Sequence, residues 1–290
     1  MQTSIVIVSK DRKAELDKTL SILEKIIDFS IHEILVFLDG CTDNSDELKE
    51  VHEKINWYSS KKSIGASAAR KELYPHAKGK ILIGFDDDAH PLQSNFINIT
   101  NSFFNENKNV AILAFEEVKG IFSSDEDALK MAKKEKQNHY TSEFVGCGFA
   151  IKKSCYEQTN GFPTWIDIYG EEACVAIEIL DLGFDILYIH DIKVNHRVNK
   201  QDRLAQGKNY FRFEKQLKNA TFFYLVYYPN PIKKIVRLYW HNFKTYAVKD
   251  GTYFQNYFST IFRVLFALPK VLKFQNFVKK TTIKKRESLH

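Results

Sequence analysis

The sequence has few cysteines and no long apolar run. Its four cysteines, Cys41, Cys147, Cys155 and Cys174, form no C-x-x-C pair, which excludes the common zinc motifs and argues against a disulfide framework. This pattern is typical of reduced thiols inside a cell. No apolar run approaches the roughly 20 residues that a helix needs to span a bilayer, and the first residues lack the features of a signal peptide. We therefore expect a cytoplasmic protein that does not cross a membrane.

Charge and aromatic residues are unevenly distributed along the 290 residues. Residues 1–199 carry 23 Lys and Arg against 32 Asp and Glu, whereas residues 200–290 carry 19 against 4. The second part also holds 20 of the 40 aromatic residues. No internal repeat or low-complexity linker is present, and the length suffices for one large domain with an appended segment. We predict a domain at 1–199 and a basic, aromatic-rich region at 200–290, and we expect the two parts to bind different partners.

Strand-like and helix-like segments alternate through the first part. The run 3–9 is typical of a central parallel strand, and the segment from Asp11 has the apolar spacing of an amphipathic helix. The apolar stripe of that helix comprises Leu16, Leu20, Leu23 and Ile27. Further strands are predicted at 33–38, 55–58, 81–85, 110–115, 144–151, 186–189 and 192–194, and further helices at 64–74, after Pro91 and at 170–183. Residues 123–140 are polar and predict a solvated helix or a loop over the site. The alternation predicts an α/β fold with a mostly parallel sheet and flanking helices.

Three aspartates, Asp86 to Asp88, follow the apolar strand at 81–85. In open α/β sheets ligands bind at this end of the strands, and three adjacent carboxylates repel one another unless a cation compensates. On an extended segment Asp86 and Asp88 point to one side and Asp87 to the other. The triplet therefore indicates either a site for a hard divalent metal or a solvated turn that caps the next helix.

Several motifs follow in a fixed order along the chain. They are Ser4 to Arg12, Asp39-Gly40-Cys41-Thr42-Asp43, Ile64 to Arg70, Asp86-Asp87-Asp88, Gly170-Glu171-Glu172 and Val194-Asn195-His196. This ordered set, over residues 3–197, resembles the family 2 glycosyltransferases of GT-A fold, and among them the bacterial rhamnosyltransferase-like members that build cell-surface polysaccharides. The resemblance implies a Rossmann-like nucleotide-diphospho-sugar transferase sheet, which is followed here by a helical C-terminal segment.

The resemblance also implies roles for individual residues. A metal, Mn²⁺ or Mg²⁺, would be held by Asp88 with Asp86 and would neutralise the leaving diphosphate, and His196 would complete the metal shell or touch the phosphates. The donor pocket would be formed by Ser9, Asp11, Arg12, Asp39, Arg70, Asp86 and Asp87. Structural alternatives remain for single members, because Asp39 before glycine suits a turn and Arg70 suits a solvated helix face.

The acidic pair Glu171 and Glu172 follows Gly170 at a predicted helix start, where the helix dipole alone would favour carboxylates. The resemblance assigns the catalytic base to Glu172 and a sugar contact to Glu171. A base there would take the proton of an acceptor hydroxyl as it attacks the anomeric carbon, and a single displacement inverts the anomeric configuration.

Two other classes of function compete with this interpretation. An aspartyl phosphatase also uses Asp-x-Asp after an apolar strand, with Asp86 as nucleophile and Asp88 as acid. That strand usually comes first in a phosphatase domain, whereas here the strands predicted at 3–9 and 33–38 already precede the strand that ends at the aspartates. A nucleic-acid-binding protein could act through the basic region at 200–290, but this leaves the strand-end motifs unexplained. We therefore expect that the protein does not bind nucleic acid.

The region at 200–290 carries apolar and basic residues at helical spacing. The predicted stripes are Ile232, Ile235, Val236, Tyr239, Trp240, Phe243 and Tyr246, followed by Tyr253, Phe254, Tyr257, Phe258, Ile261, Phe262, Leu265 and Phe266 up to Pro269. Two interpretations stay open: the stripes pack on the catalytic domain or a second subunit, or they bind the inner face of an anionic plasma membrane beside a lipid-linked oligosaccharide or glycan acceptor.

Overall fold

The computed structural model describes residues 1–132, 137–198 and 207–289. Its strands are β1 (Thr3–Ser9), β2 (His32–Asp39), β3 (Asn56–Ser60), β4 (Ile81–Asp86), β5 (Ala89–Pro91), β6 (Val110–Lys119), β7 (His139–Thr141), β8 (Gly148–Lys152) and β9 (Asp185–His196). Its helices are α1 (Lys13–Ile26), α2 (Leu48–Val51), α3 (Ala66–Leu73), α4 (Phe96–Glu106), α5 (Asp125–Met131), α6 (Lys153–Tyr156), α7 (Glu171–Asp181), α8 (Tyr210–Tyr227), α9 (Ile232–Thr245), α10 (Gly251–Val271) and α11 (Lys280–Ser288).

The strands form one mixed sheet in the order β3-β2-β1-β4-β8-β6-β9-β5, and β7 pairs with β9. The block from β3 to β4 is parallel, as is the pair of β6 and β9. β8 runs antiparallel to β4 and β6, and β5 and β7 run antiparallel to β9. The predicted α/β fold with flanking helices and a helical C-terminal region is confirmed.

The sheet separates two apolar layers because successive side chains of a strand point to opposite faces. In β1, Ile5 and Ile7 belong to one layer and Val6 to the other. The predicted stripe of α1 is buried in the first layer, and Ala69 and Leu73 of α3 are buried in the second. Each Ile, Leu or Val among these side chains contributes about 1.5–3 kcal/mol when it is fully buried. These buried side chains hold α1 against one face of the sheet and α3 against the other.

The structure corrects two local predictions. The strand predicted at 144–151 begins only at Gly148, and its glycines make room for protein side chains: a Cβ on Gly148 would meet Val194 Cγ2 at 2.7 Å. The strands predicted at 186–189 and 192–194 form one strand, β9, whose pairing with β6 shifts register between Phe115 and Glu116. The polar stretch at 123–140 contains α5 and the start of β7, while residues 133–136 lie outside the described part.

The C-terminal helices pack against α7 and against each other. Cys174 and Ile177 of α7 share an apolar cluster with Phe222 and Val226 of α8 and with Val264 of α10. A second cluster joins α8, α9 and α10. The predicted stripes contribute Tyr239, Phe243, Tyr253, Tyr257 and Ile261 to the second cluster, so these members pack among the C-terminal helices, whereas the contacts with α7 come from residues outside the predicted stripes. The predicted domain boundary between residues 199 and 200 lies outside the described residues.

Two features of the C-terminal helices differ from the predicted pattern. α8 has no predicted counterpart, and α10 continues past Pro269 to Val271. Among the described residues, no helix combines the length and the apolar character that a bilayer span requires.

Candidate active site

The carboxyl ends of β1, β2 and β4 meet at one edge of the sheet. The parallel register places Ser9 opposite Leu38 and Val8 opposite Asp86, so the polar residues that end these strands become neighbours. The structure thereby brings Ser9 and Arg12 together with the aspartates that were predicted from the apolar strand.

Two of the three aspartates, Asp87 and Asp88, share Arg12 as a partner. Asp87 is buried and accepts a hydrogen bond from Ser9 Oγ at 2.7 Å, while Arg12 Nη1 lies 3.3 Å from its other oxygen. Burial raises the pKa of Asp87 to about 7, although Arg12 opposes the shift. Asp88 Oδ2 accepts a hydrogen bond from Arg12 Nη2 at 2.7 Å. Asp87 and Asp88 are thus both buried, with side chains 7% and 4% exposed, and share the Arg12 guanidinium, whereas the Asp86 side chain is 34% exposed.

His196, at the end of β9, completes the group. Its Nε2 lies 3.3 Å from Asp88 Oδ1, and its Nδ1 lies 2.5 Å from Glu117 Oε1 at the end of β6. Burial alone would lower the pKa of His196, but the contacts with Asp88 and Glu117 outweigh it and raise the pKa to about 9. Burial would likewise raise the pKa of Asp88, yet His196 and then Arg12 hold it below its usual range.

The donor atoms of Asp86, Asp88 and His196 fit a hard divalent cation. One ligand atom from each residue lies within 4.8 Å of the others. Asp88 Oδ1 is buried and lacks a hydrogen bond among the residues that the structure describes; its ion-pair contact is with His196 Nε2 at 3.3 Å, and a cation held by both atoms would satisfy this oxygen. Two carboxylate oxygens and an imidazole nitrogen suit Mn²⁺ or Mg²⁺. Because Glu117 engages Nδ1, Nε2 is the ring atom that would bind a metal, and such a pairing of a carboxylate with the second ring nitrogen is common in metalloproteins.

Arg70 connects the metal-site carboxylates to the acidic pair. This side chain is buried, and its Nη2 lies 2.9 Å from Asp86 Oδ1 while its Nη1 lies 2.9 Å from Glu171 Oε1 and 3.6 Å from Glu172 Oε1. The guanidinium also lies over the ring of Phe162, with Cζ 5.4 Å from the ring centroid. The alternative that Arg70 is a solvated helix cation is wrong, because α3 turns it toward three carboxylates.

The two glutamates at the start of α7 differ in exposure. The Glu171 side chain is 4% exposed and is bound to Arg70, whereas the Glu172 side chain is 19% exposed. A Cβ on Gly146 would come within 2.4 Å of Glu172 Oε1, so a glycine there leaves room for the carboxylate. Burial first, and then the charge of Glu171, raise the pKa of Glu172, while Arg70 opposes the shift. A carboxyl with a raised pKa holds its proton at neutral pH for most of the time, and its deprotonated form is a stronger base than an ordinary carboxylate.

Asp11, in the loop after β1, and Asp39, the last residue of β2, accept hydrogen bonds from neighbouring loops. Asp39 is buried and accepts hydrogen bonds from Ser63 Oγ at 2.7 Å and from the backbone N–H groups of Ile64 and Gly65 at 2.7 and 3.0 Å. Asp11 has a positive φ of 51° and accepts from the backbone N–H of Thr42 at 2.6 Å. Both residues shape the loops at the sheet edge, and their contacts with a nucleotide stay a prediction.

Several residues at the site were not predicted from the sequence. Glu117 follows an apolar strand as the aspartates do, and this signal could have revealed it. Arg197 is buried and ties α1 to β5 and to the aspartate loop: it donates to Glu15 Oε2 at 2.7 Å and to Thr19 Oγ1 at 2.6 Å, and its Nη1 lies 2.7 Å from His90 Nδ1. No local pattern marks this role.

The C-terminal helix α8 also reaches the site. Asn219 Nδ2 donates to the carbonyl oxygens of Ile168 and Tyr169 at 2.8 and 3.0 Å, directly before the acidic pair. Tyr169 has a φ of 70°, a left-handed conformation that non-glycine residues seldom adopt without such support. Asn219 therefore holds the turn that leads into Glu171 and Glu172.

Comparison with known proteins assigns the family. The family model described as Glycosyl transferase family 2 matches residues 4–158, which is more than half of the chain. The chain therefore belongs to glycosyl transferase family 2, and the resemblance seen in the sequence is confirmed at this level. This membership sets aside the aspartyl phosphatase alternative. A comparison with curated proteins gave no match.

Solved structures of glycosyltransferases share the fold. The crystal structure of GalNAc-T7 with UDP, GalNAc and Mn²⁺ superposes with a TM-score of 0.62 at 16% identity, over 81% of this chain and 49% of that one. TarS 1-349 of S. aureus in complex with UDP-GlcNAc gives 0.60 at 12% identity, over 94% and 84%. The mannosyltransferase PcManGT of Pyrobaculum calidifontis with GDP-Man and Mn²⁺ gives 0.58 at 16% identity, over 99% and 83%. The chain spans about half the length of the GalNAc-T7 structure.

Proposed function

We propose that the protein is a metal-dependent inverting glycosyltransferase that moves a hexosyl or deoxyhexosyl group from a nucleotide-sugar donor to a hydroxyl of a glycan or lipid-linked acceptor. The observation that carries the proposal is the Arg70 guanidinium, which bridges Asp86 of the metal group and Glu171 of the acidic pair. It joins the place where a diphosphate leaves to the place where a proton is taken up. The similar structures, with GDP-Man and UDP-GlcNAc, support a nucleoside diphosphate sugar as donor.

A divalent cation held by Asp86, Asp88 and His196 would supply positive charge for the diphosphate oxygens as the bond to the sugar breaks. Arg12 and Arg70 border this site, and each also forms ion pairs with the aspartates. Arginine presents a planar fork that matches phosphate geometry. We assign both arginines to the orientation of the diphosphate, and Ser9 and Asp87 to the support of Arg12 and the aspartate loop.

Glu172 is proposed as the general base. The acceptor oxygen forms the new bond to the anomeric carbon, its proton passes to the Glu172 carboxylate, and the bond from the anomeric carbon to the phosphate oxygen breaks with its electron pair on the leaving diphosphate. One displacement of this kind inverts the anomeric centre. Glu171 is fixed by Arg70 and keeps that guanidinium in place beside the base.

Bacterial cell-surface polysaccharide synthesis is the setting that the rhamnosyltransferase-like motifs favour. We include this setting in the proposal, with Mn²⁺ or Mg²⁺ as the cofactor. The shape of the pocket selects the sugar, so the donor must be identified by assaying a panel of nucleotide sugars.

The test is a panel of UDP-, GDP- and dTDP-sugars, assayed for hydrolysis and transfer with Mn²⁺, with Mg²⁺ and with a chelator. We expect turnover of one donor class that requires the metal, and its loss in Asp88→Ala. Glu172→Gln should still bind donor but lose about two to four orders of magnitude in turnover, the usual contribution of a general base. Asp87→Ala should be less damaging than Asp88→Ala.

Two controls make this experiment decisive. Glu106→Ala removes an exposed carboxylate at the end of α4, outside every motif, and should leave turnover unchanged. Circular dichroism establishes that each variant is folded. Full turnover by a folded Asp88→Ala would refute the metal site, and an inactive Glu171→Gln beside an active Glu172→Gln would move the base by one position.

A further inference from the structure

The C-terminal helices leave one set of large apolar side chains exposed. On α9 these are Ile232, Val236 and Trp240, and on α10 they are Phe254, Phe258, Phe262, Leu265 and Phe266. We call these eight residues the aromatic face. Each is between 40% and 86% exposed. Isolated exposed apolar residues are ordinary, but a set of this size on two neighbouring helices marks an interaction surface.

Ring contacts make the aromatic face continuous between the two helices. Trp240 stacks on Phe243 with centroids 6.2 Å apart, Phe243 lies 5.5 Å from Tyr257, and Tyr257 lies 5.3 Å from Phe258. Phe243 and Tyr257 belong to the inner cluster of the C-terminal helices. The rings of the inner cluster thus pack against the exposed rings of the aromatic face. Each of the two predicted stripes is thus divided: some of its members pack inward and others face solvent.

Basic side chains accompany the aromatic face, and acidic ones do not. On α9 the exposed residues next to Ile232, Val236 and Trp240 include Lys233, Arg237 and Lys244, and neither α9 nor α10 contains an Asp or Glu. The acidic side chains within residues 207–289 are each ion-paired, Glu214 with Arg263, Asp250 with Lys208 and Glu287 with Lys234. The positive charge of this surface is therefore left uncompensated within the described part of the chain.

A groove at the start of α9 adds to this surface. It has a volume of about 300 Å³ and lies between α9 and α11, where Lys233, Lys234, Lys280 and Lys284 surround Tyr228 and Ile283. Among these four lysines only Lys234 has a carboxylate partner among the described residues. The groove combines an apolar floor with ammonium groups at the rim, which suits a phosphate group attached to a hydrocarbon chain.

From these observations we infer that the aromatic face, with the lysines of the groove, docks on a bilayer that contains anionic phospholipid. Aromatic rings settle at the level of the headgroups, and each Lys or Arg close to an anionic surface strengthens binding about fivefold. A second copy of the chain fits less well, because docking two such faces would bring like charges together without an acid to pair them. Aliphatic members such as Ile232 and Leu265 favour a lipid surface over stacked nucleic-acid bases.

The test uses the full chain and vesicles of phosphatidylcholine alone or mixed with phosphatidylglycerol. We expect co-sedimentation with the mixed vesicles that weakens as salt is raised, and a blue shift of Trp240 fluorescence that is absent in Trp240→Phe. The triple variant Trp240→Ser, Phe262→Ser, Phe266→Ser should lose most of the binding. The triple variant Lys233→Gln, Arg237→Gln, Lys244→Gln should bind about 100-fold more weakly.

Matched variants outside the C-terminal helices act as controls. Val51→Ser with Ile121→Ser removes apolar side chains of similar exposure, and Lys25→Gln, Lys78→Gln with Lys80→Gln removes three exposed charges. Both should bind vesicles as the natural chain does. All replaced residues are exposed, so unfolding temperatures should stay close to that of the natural chain, and the assay needs no donor or turnover.

Three results would overturn the inference. The first is equal binding to both kinds of vesicle, or none to either. The second is that the variants of the aromatic face and of its basic residues bind vesicles as strongly as their controls do. The third is a dimer or an oligonucleotide complex that the face variants abolish, in a protein that does not bind vesicles.

Discussion

Replacing Arg70 with methionine tests whether this side chain neutralises buried carboxylates. The substitution keeps an unbranched side chain but removes the cation beside Asp86, Glu171 and Glu172. Breaking a buried ion pair by removing one partner costs about 3–5 kcal/mol, because the other charge stays buried and unpaired. We therefore expect the free energy of unfolding at pH 8, measured in urea, to fall by about this amount. A typical domain, with about 5–15 kcal/mol, would remain largely folded.

The loss of stability should depend on pH in a defined direction. Burial raises the pKa of Glu171 and Arg70 opposes the shift, so the pKa rises further when Arg70 is gone. The folded variant then keeps a proton that the unfolded chain releases above about pH 4.3. Lowering the pH from 8 to 5 should therefore restore stability, by at most about 1.4 kcal/mol per pH unit for each carboxyl.

Two comparisons decide the outcome. Adding Glu171→Gln to Arg70→Met removes the unpaired charge and should recover part of the loss, so the two changes should not be additive. Arg263→Met makes the same substitution in an exposed pair with Glu214 and should cost less than about 1 kcal/mol. If Arg70→Met were no more harmful than Arg263→Met, or if its cost were the same at pH 5 and pH 8, the charge-bridging role of Arg70 would be refuted.

Two further predictions concern the candidate metal group and the base. Glu117→Gln should weaken Mn²⁺ binding about 10–100-fold, measured by calorimetry without donor, because Glu117 fixes the ring of His196. If Glu117→Gln bound Mn²⁺ with unchanged affinity while His196→Ala bound it more weakly, this role of Glu117 would be contradicted. Below the raised pKa of Glu172, turnover should rise about tenfold for each pH unit, because the base acts only when it is deprotonated. The residual turnover of Glu172→Gln should lack this pH dependence, and the same pH profile in both proteins would exclude Glu172 as the base.

The parts of the fold that are coded locally were predictable. The strand at 3–9 and the apolar stripe of α1 follow directly from periodicity, and both appear in the structure at the predicted residues. Helix α8 was not predictable in this way, because Phe213 and Leu217 enter one cluster while Phe222 and Val226 enter another. A helix that is buried on two sides shows no single stripe.

The residues of the candidate site also fall into those that a local pattern reveals and those that only distant contacts define. The aspartate triplet was visible because it ends an apolar strand. The role of Arg70 depends on contacts with Glu171, 101 residues away, which no local pattern contains. The same holds for Arg197 and Glu15, which are 182 residues apart. Such pairs are set by the order of the strands in the sheet, and sequence periodicity does not carry that information.

The hydrogen bonds from Asn219 to the turn before α7 bear on how relatives of this protein could exchange segments. The family motifs end at His196, so the residues beyond it look like an interchangeable addition. Yet the turn at Ile168 and Tyr169 is held by α8, and α11 is tied to the last residue of α7 through Asp181. A chimera that exchanged only the residues after 207 would keep every motif and lose the support of its acidic pair. The natural unit of exchange is therefore the turn, α7 and the C-terminal helices together.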